Sequence, residues 1–289
     1  MSIWRVLILA FLQGLTELLP VSSSAHVVVA EKLMGMDPSS PEMTLLLVML
    51  HTGTMFAVIL YFWRQWRRVF FQSAVAFKNF ALLLILATAI TGVVGEILNK
   101  LIEKFWFHGA PNAEVEQLFS HLELIAPALA AGGILILVAG AFEKRASLTR
   151  VAGGVGLDAK QAGLIGFVQA LCLPFRGFSR SGATISTGML AGVTKMRAEE
   201  FSFALAVVLT PPVVARELLR LVKAEHVNGS AALVSAMVPG IFGAFCAFVA
   251  GLLALKRLSK WLEGGRWYLF GIYCLIAAVI VAVLHRAGF

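Results

Sequence analysis

A glutamate, three serines and a histidine crowd into the stretch from Glu17 to His26, and two serines flank an arginine at Ser179-Arg180-Ser181. Both groups close one recurring pattern. The first copy runs Phe11-Leu12-Gln13-Gly14-Leu15-Thr16-Glu17-Leu18-Leu19-Pro20-Val21-Ser22-Ser23-Ser24-Ala25-His26. The second runs Phe167-Val168-Gln169-Ala170-Leu171-Cys172-Leu173-Pro174 and ends on Ser179-Arg180-Ser181-Gly182-Ala183-Thr184. Each passes from apolar residues to Gln-x-Leu, then Leu-Pro, then two serines spaced by one residue, then apolar residues again. Polar and charged groups at membrane depth are expensive and usually mark a working site. Two related copies suggest one site built from two halves.

Gln13 and Glu17 are four apart and share one face of a helix. Pro20 ends that helix, and Ser22, Ser23 or Ser24 caps the next, whose free N–H groups and positive dipole end can hold an anion. His26 follows Ser23 by three residues and Ser22 by four, which puts hydroxyl and imidazole on one face. That suits a nucleophile beside its base, or a histidine that itself attacks phosphorus. Taken alone, a capping serine and a buried, hydrogen-bonded histidine are the simpler account. The second tip shifts the balance. It offers the Arg180 guanidinium, the hydroxyls of Ser179, Ser181 and Thr184, and a helix start at Gly182. Arginine binds phosphate bidentately, and a charge held there costs ~2.5–3.5 kcal/mol on insertion scales, so a phosphate clamp is favoured over a snorkelling side chain. Arg176, just outside this run, either joins the clamp or pairs with Glu17. The two tips together carry the parts for phosphoryl transfer: a nucleophile, an acid/base, charge neutralisation, and in Glu17 a carboxylate for Mg²⁺. A site between membrane halves implies a substrate with a lipid tail and a phosphorylated head.

Composition sets the frame that must position these residues. The chain has 289 residues, 59% hydrophobic and 14% charged, with a mean hydropathy of +0.86. Soluble domains carry about 25% charged residues, so the sequence reads as a multi-span membrane protein without a separate soluble domain. The net charge of +8 is then loop bias against anionic lipid and not a nucleic-acid signal. Cys172, Cys246 and Cys274 all lie in apolar stretches, which argues against disulfides or a metal cluster. Arg5, the run Val6 to Leu12 and Ser23-Ser24-Ala25 loosely imitate a cleaved signal peptide. Gln13 and Glu17 interrupt that run, and its pattern returns mid-chain, where no signal could act.

Crossing a hydrocarbon core of ~30 Å takes ~20 residues. Six segments qualify, near Met43–Trp63, Phe80–Leu98, Leu122–Phe142, Glu199–Leu221, Ala232–Leu255 and Trp267–Leu284. Two further regions are interrupted: Ile3–Leu19 with Val21–Met36, and Ala162–Leu173 with Gly182–Val193. Each pair reads as a re-entrant helix–loop–helix hairpin. The expected fold is therefore an all-α integral membrane protein, six transmembrane helices plus two re-entrant hairpins, in one membrane domain. The motif offset from Gln13 to Gln169, added to Met43, lands on Glu199, the start of the fourth span. Three spans follow each hairpin, and three is odd, so residues 1–142 and 160–289 form an inverted-topology repeat with the site between them.

Basic loops give the orientation. Arg64, Arg67, Arg68 and Lys78; Lys144, Arg145, Arg150 and Lys160; Lys195 and Arg197; and Lys256, Arg257, Lys260 and Arg266 all fall on one side, the cytoplasmic one. Glu103, Glu114, Glu116 and Glu123 fall outside. Arg216, Arg220 and Lys223 end span four on the outer side, where either snorkelling or attraction of an anionic substrate accounts for them.

On these two motifs the chain resembles the undecaprenyl-diphosphate phosphatases, the bacitracin-resistance family of bacterial inner membranes. The family's first motif is Glu or Gln, three residues, Glu, then a Ser-rich segment ending in His; its second is Pro-Gly-x-Ser-Arg-Ser-x-x-Thr. The resemblance covers essentially the whole chain. It implies Glu17, Ser23, His26 and Arg180 as catalytic residues, with Ser22, Ser179, Ser181 and Thr184 as supporting phosphate ligands; Gln13, Ser24 and Arg176 are expected to bind substrate from their place in this sequence. It implies a divalent cation (Mg²⁺, or another such as Ca²⁺), for which Glu17 is the candidate ligand, and a polyprenyl diphosphate substrate in the lipid bilayer, the recycled carrier of peptidoglycan synthesis; the first hairpin opens outward, which favours a periplasm-facing site. Two positions depart from the pattern. Gln13 stands where many members carry a first glutamate, and Arg176 where the motif has proline. A polyprenyl-phosphate flippase or secondary transporter is the rival, because broken helices in inverted repeats are also a transporter design. Oligomeric state, with a homodimer as one option, stays open, as does the choice between Ser23 and His26 as nucleophile.

Overall fold

The computed structural model describes residues 2–106, 117–118, 121–146, 157–225, 231–262 and 266–288. Among them every regular element is helical: α1 (Ile3–Thr16), α2 (Ser23–Leu33), α3 (Pro41–Val69), α4 (Ala74–Phe105), α5 (Leu122–Ala146), α6 (Ala159–Cys172), α7 (Arg180–Leu190), α8 (Lys195–Glu225), α9 (Ala231–Leu262) and α10 (Trp267–Arg286). Six of these, α3, α4, α5, α8, α9 and α10, are long and apolar enough to cross a membrane. The protein is a multi-pass membrane protein. The expected spans are all present and run longer than their apolar cores.

Local chemistry sets the helix starts. Ser40 caps α3 by accepting the Met43 N–H, with Pro41 at the first helical position, and Ser73 caps α4 through the Ala76 N–H. Asp158 and Gln161 form a reciprocal capping box at α6. Prolines stand inside α5 (Pro127), α8 (Pro211, Pro212) and α9 (Pro239). Neighbouring helices make such breaks tolerable in membrane spans.

Four short helices form two pairs, α1 with α2 and α6 with α7, each joined by a tight turn at a Leu-Pro. Their packing crosses between the chain's halves. Helix α1 lies against α9, and α6 lies against α4. Both crossings use a glycine: a Cβ at Gly14 would stand 2.5 Å from the Ala250 Cβ, and one at Gly166 would stand 2.4 Å from the Ala87 carbonyl oxygen. Small residues let helix backbones meet where lipid gives no hydrophobic drive. Thr91 then bonds across the second crossing, its hydroxyl donating to the Gly166 carbonyl at 2.8 Å.

The buried apolar residues form several clusters, one of them around α7. Val21, Ile136, Ile185, Met189 and Trp267 pack there, and the Trp267 indole N–H donates to Ser186 at 3.2 Å. Cys172, Cys246 and Cys274 are all free. Of the orientation residues, Glu114, Glu116 and Arg150 lie outside the described residues, as do the side chains of Lys144, Arg145, Arg220, Lys223, Arg257 and Lys260.

Candidate functional site

The first tip is the turn from Glu17 to Ser22. Helix α1 stops at Thr16, and the chain folds back so that Ser22 adopts a left-handed φ of 65°, alone among described non-glycine residues. Side chains resist that conformation, and such strain concentrates at working sites. Helix α2 then begins at Ser23. Ser22 occupies the cap position, yet its hydroxyl makes no capping bond and instead faces the Ser24 hydroxyl at 3.5 Å. The expected serine cap is therefore absent, which leaves hydroxyls for something other than the backbone.

The second tip is built differently. After Cys172 the chain turns through Pro174 and Gly177, whose φ of 113° only glycine adopts readily. A Cβ at Gly177 would also stand 2.7 Å from the Ile125 carbonyl oxygen. Ser179 caps α7 by accepting the Gly182 N–H at 3.2 Å.

The tips touch. The Ser181 hydroxyl donates to the Leu19 carbonyl at 3.4 Å, and a Cβ at Gly182 would lie 3.1 Å from the Pro20 carbonyl oxygen. Across this contact Arg180 Nη2 donates to Glu17 Oε1 at 2.5 Å. Glu17 is the hub of the arrangement. Its Oε2 accepts from Ser23 Oγ at 2.5 Å and from Gln13 Nε2 at 2.9 Å, and faces His51 Nε2 at 3.3 Å. The His51 Nδ1–H donates to the Leu47 carbonyl, which turns Nε2 toward the carboxylate.

Around the hub lies a small cavity of about 60 Å³, lined by Glu17, Ser22, Ser23, Ser24, His51, Ser179, Arg180 and Ser181 among others. Arg180 Nη1 and Gln13 Oε1 are buried polar atoms with no hydrogen-bond partner. Buried donors are rarely left so, and a spare guanidinium nitrogen beside five serine hydroxyls is a ready anion seat. A larger cavity of about 330 Å³ adjoins it between α3, α4, α6 and α8. It shares Glu17, His51 and Arg180, and adds Arg176, Arg216 and an apolar wall that includes Val48, Val58 and Phe203. Arg216, ambiguous in the sequence, thus borders a cavity.

Most of the expected residues meet here: Glu17, Ser22, Ser23, Ser24, Ser179, Arg180 and Ser181, with Gln13 behind. Two do not. Thr184 is fully buried, its hydroxyl donating to the Arg180 carbonyl at 2.8 Å and paired with Ser202 at 2.6 Å. It steadies the first turn of α7 and does not line the small cavity. His26 has the expected helical spacing but points elsewhere. Its Nδ1–H donates to the Ser22 carbonyl at 2.8 Å, and its Nε2 accepts from the Tyr273 hydroxyl at 2.6 Å. The two rings stack at 5.6 Å. Neither His26 nor Tyr273 lines the cavity. Arg176 lines the larger cavity and not the small one.

His51 is the residue that the motifs missed. A lone ionisable side chain in the middle of the apolar span α3 was the signal available.

Among the described residues no group of three or more His, Cys, Asp or Glu side chains could hold a metal ion. The oxygen donors at the hub are the Glu17 carboxylate, the Ser23 hydroxyl and the unpartnered Gln13 Oε1. That set fits a Mg²⁺ ion carried mainly by substrate phosphates, since Mg²⁺ keeps several waters and takes one or two carboxylates.

The family described as Bacitracin resistance protein BacA matches residues 6–280. Undecaprenyl-diphosphatase 2 of Acinetobacter baylyi is 57% identical over 287 residues, covering 98% of both chains. Undecaprenyl-diphosphatase 2 of Burkholderia ambifaria is 35% identical and Undecaprenyl-diphosphatase 1 of Burkholderia pseudomallei 36%, each over 289 residues, 96% of this chain and 95% of theirs.

Proposed function

The chain belongs to the bacitracin resistance protein BacA family, and from that premise we propose that it is an undecaprenyl-diphosphate phosphatase. It removes the terminal phosphate of a polyprenyl diphosphate and returns the monophosphate carrier to peptidoglycan synthesis. The observation that carries this reading is Arg180, with one nitrogen on Glu17 and the other buried without a partner in a serine-lined cavity.

The terminal phosphate sits against Arg180 Nη1, the hydroxyls of Ser179 and Ser181, and the N-terminus of α7. Ser23 already donates to Glu17, so its proton has an acceptor in place. Ser23 Oγ attacks the terminal phosphorus, the proton passes to Glu17, and the bridging oxygen leaves on the polyprenyl monophosphate. Water then attacks the phosphoserine as His51 takes the water's proton and Glu17 returns its own to the departing Ser23 Oγ, releasing orthophosphate and restoring the Ser23 hydroxyl. Arg180 offsets the charge that gathers on the transferred group. A Mg²⁺ ion, held by Glu17 and Gln13 Oε1, would neutralise diphosphate charge when bound. His26 reaches the reacting phosphate only by releasing Tyr273, so its part is in shaping the turn below Ser22.

We read the architecture as two inverted halves, residues 1–142 and 160–289, each hairpin dipping into the membrane. Supporting this is the reciprocal packing of α1 on α9 and α6 on α4. The basic loops favour a bacterial inner membrane location with the site open to the periplasm. Purified protein in detergent should release orthophosphate from undecaprenyl or farnesyl diphosphate. Transport of intact lipid in vesicles with no phosphate release in detergent would favour the flippase instead.

A further inference from the structure

Helix α10 supplies nothing to the chemistry above, yet it grips the first tip at both ends. It is itself fixed against α5 by a reciprocal glycine crossing. A Cβ at Gly271 would stand 2.7 Å from the Gly133 carbonyl oxygen, and one at Gly133 would stand 2.9 Å from the Gly271 carbonyl oxygen. In the same turn of α10, two adjacent side chains reach the tip. The Cys274 thiol, 1% exposed, donates to the Pro20 carbonyl at 3.5 Å, and the Tyr273 hydroxyl donates to His26 Nε2 at 2.6 Å.

From His26 the bonds run inward. A carbonyl only accepts, so the ring nitrogen facing Ser22 is Nδ1–H, and Nε2 of the neutral ring is left as the acceptor for Tyr273. The ring bond to the Ser22 carbonyl, at 2.8 Å, is shorter than those from the backbone N–H groups of Ala25 and His26, at 3.2 and 3.4 Å. Ser22 makes no hydroxyl cap and is held at φ 65°. A strained residue keeps such a conformation only where its surroundings over-determine it, and the imidazole supplies the closest of these bonds. Ser23 follows directly, and from that turn its hydroxyl donates to Glu17 at 2.5 Å. Tyr273 stands within the apolar span α10, where few other donors could replace its hydroxyl.

We infer that Tyr273 is a positioning residue for the phosphoryl transfer, acting through His26 and the Ser22 carbonyl to hold the first tip so that Ser23 faces Glu17 and the small cavity. This rests on the hydrolase reading above. Tyr273 does not line the small cavity, so its part is in the geometry of the nucleophile and not in phosphate binding. Without the hydroxyl the ring is free to carry its proton on Nε2, and a bare Nδ1 cannot hold the Ser22 carbonyl.

The test uses the full-length protein in detergent. Nitrogen NMR of histidine-labelled protein, with His26→Asn to assign the signals, should show the wild-type ring protonated on Nδ1 and Tyr273→Phe shifting part of the population to Nε2. Protonation on Nε2 in the wild type, or an unchanged ring in Tyr273→Phe, would overturn the inference. With farnesyl diphosphate, Tyr273→Phe should lower kcat about three- to tenfold, one neutral hydrogen bond, with KM within about twofold and the melt unchanged. The Asn amide can still donate near the place of Nδ1, so His26→Asn should keep kcat within about tenfold of wild type. The double variant should be no slower than His26→Asn alone, because Tyr273 then has no ring to hold. Additive losses, or a raised KM with kcat intact, would contradict the positioning role. So would a loss of a hundredfold or more in His26→Asn with one limb of the pH–rate profile gone, which would make His26 the acid/base itself. Absence of phosphate release by the wild-type protein would refute the hydrolase reading and with it the kinetic role, whereas the ring signals report on the Tyr273–His26–Ser22 bonds whether or not phosphate is released.

Discussion

Replacing Arg180 with lysine separates the geometry of the clamp from its charge. Arg180 serves two partners at once: Nη2 lies 2.5 Å from Glu17 Oε1, and Nη1 is buried and unpartnered toward the serine-lined cavity. An ammonium keeps the charge but is a single point and cannot span both. One charge-assisted hydrogen bond is lost, either to Glu17 or to the phosphate, at about 1.5–3 kcal/mol. Since ~1.4 kcal/mol is tenfold in rate, kcat/KM should fall about 10- to 150-fold. Alanine is a poorer test. It strips the Glu17 side chain, 10% exposed, of its ion-pair partner, and breaking a buried pair destabilises by about 3–5 kcal/mol. Lost activity would then mix with lost fold. The assay is orthophosphate release from farnesyl diphosphate by wild-type and Arg180→Lys protein, with thermal melts run alongside. A lysine variant with wild-type kcat/KM and an unchanged melt would refute the two-partner role of Arg180.

Other perturbations probe the rest of the site. His51→Ala should lower kcat about 10²-fold or more with a smaller change in KM, since it removes the imidazole 3.3 Å from Glu17; equal rates would exclude a proton-transfer role. Gly182→Ala forces a Cβ against Ile136 at 2.8 Å, Ser179 Oγ at 2.9 Å and the Pro20 carbonyl at 3.1 Å, so it should cost about 1–3 kcal/mol in stability and reduce turnover, read by melting and phosphate release. Gln13→Glu sets a second carboxylate beside Glu17, whose like charge needs a cation between them. Its activity should drop further than wild type in chelator and recover with Mg²⁺; indifference to the cation would exclude Gln13 from its binding.

Much of this was legible because membrane burial makes polarity conspicuous. Glu17, Ser23 and Arg180 stood out as costly groups at Leu-Pro breaks, and the two tips bring them together. Span interiors were equally plain, while their ends were not. Helix α3 continues past Trp63 through Arg64, Gln65, Arg67 and Arg68 to Val69, because backbone hydrogen bonding persists after the apolar run has ended. Gln65 even gains a buried partner there, donating to Glu200 at 2.5 Å. Side-chain direction was the harder part. Spacing put His26 on a face with Ser22, but the ring is aimed by Tyr273, which lies 247 residues further along the chain. Thr184 likewise answers to Ser202 and not to the cavity. His51 comes from a span with no motif, so only its isolation among apolar neighbours could have marked it.

The most direct measurement follows both products of one turnover. Purified protein in detergent, given a polyprenyl diphosphate with no bilayer present, should yield orthophosphate and polyprenyl monophosphate in equal amounts, resolved by phosphorus NMR. Release of pyrophosphate with free prenol, or recovery of the diphosphate intact, would contradict attack at the terminal phosphorus.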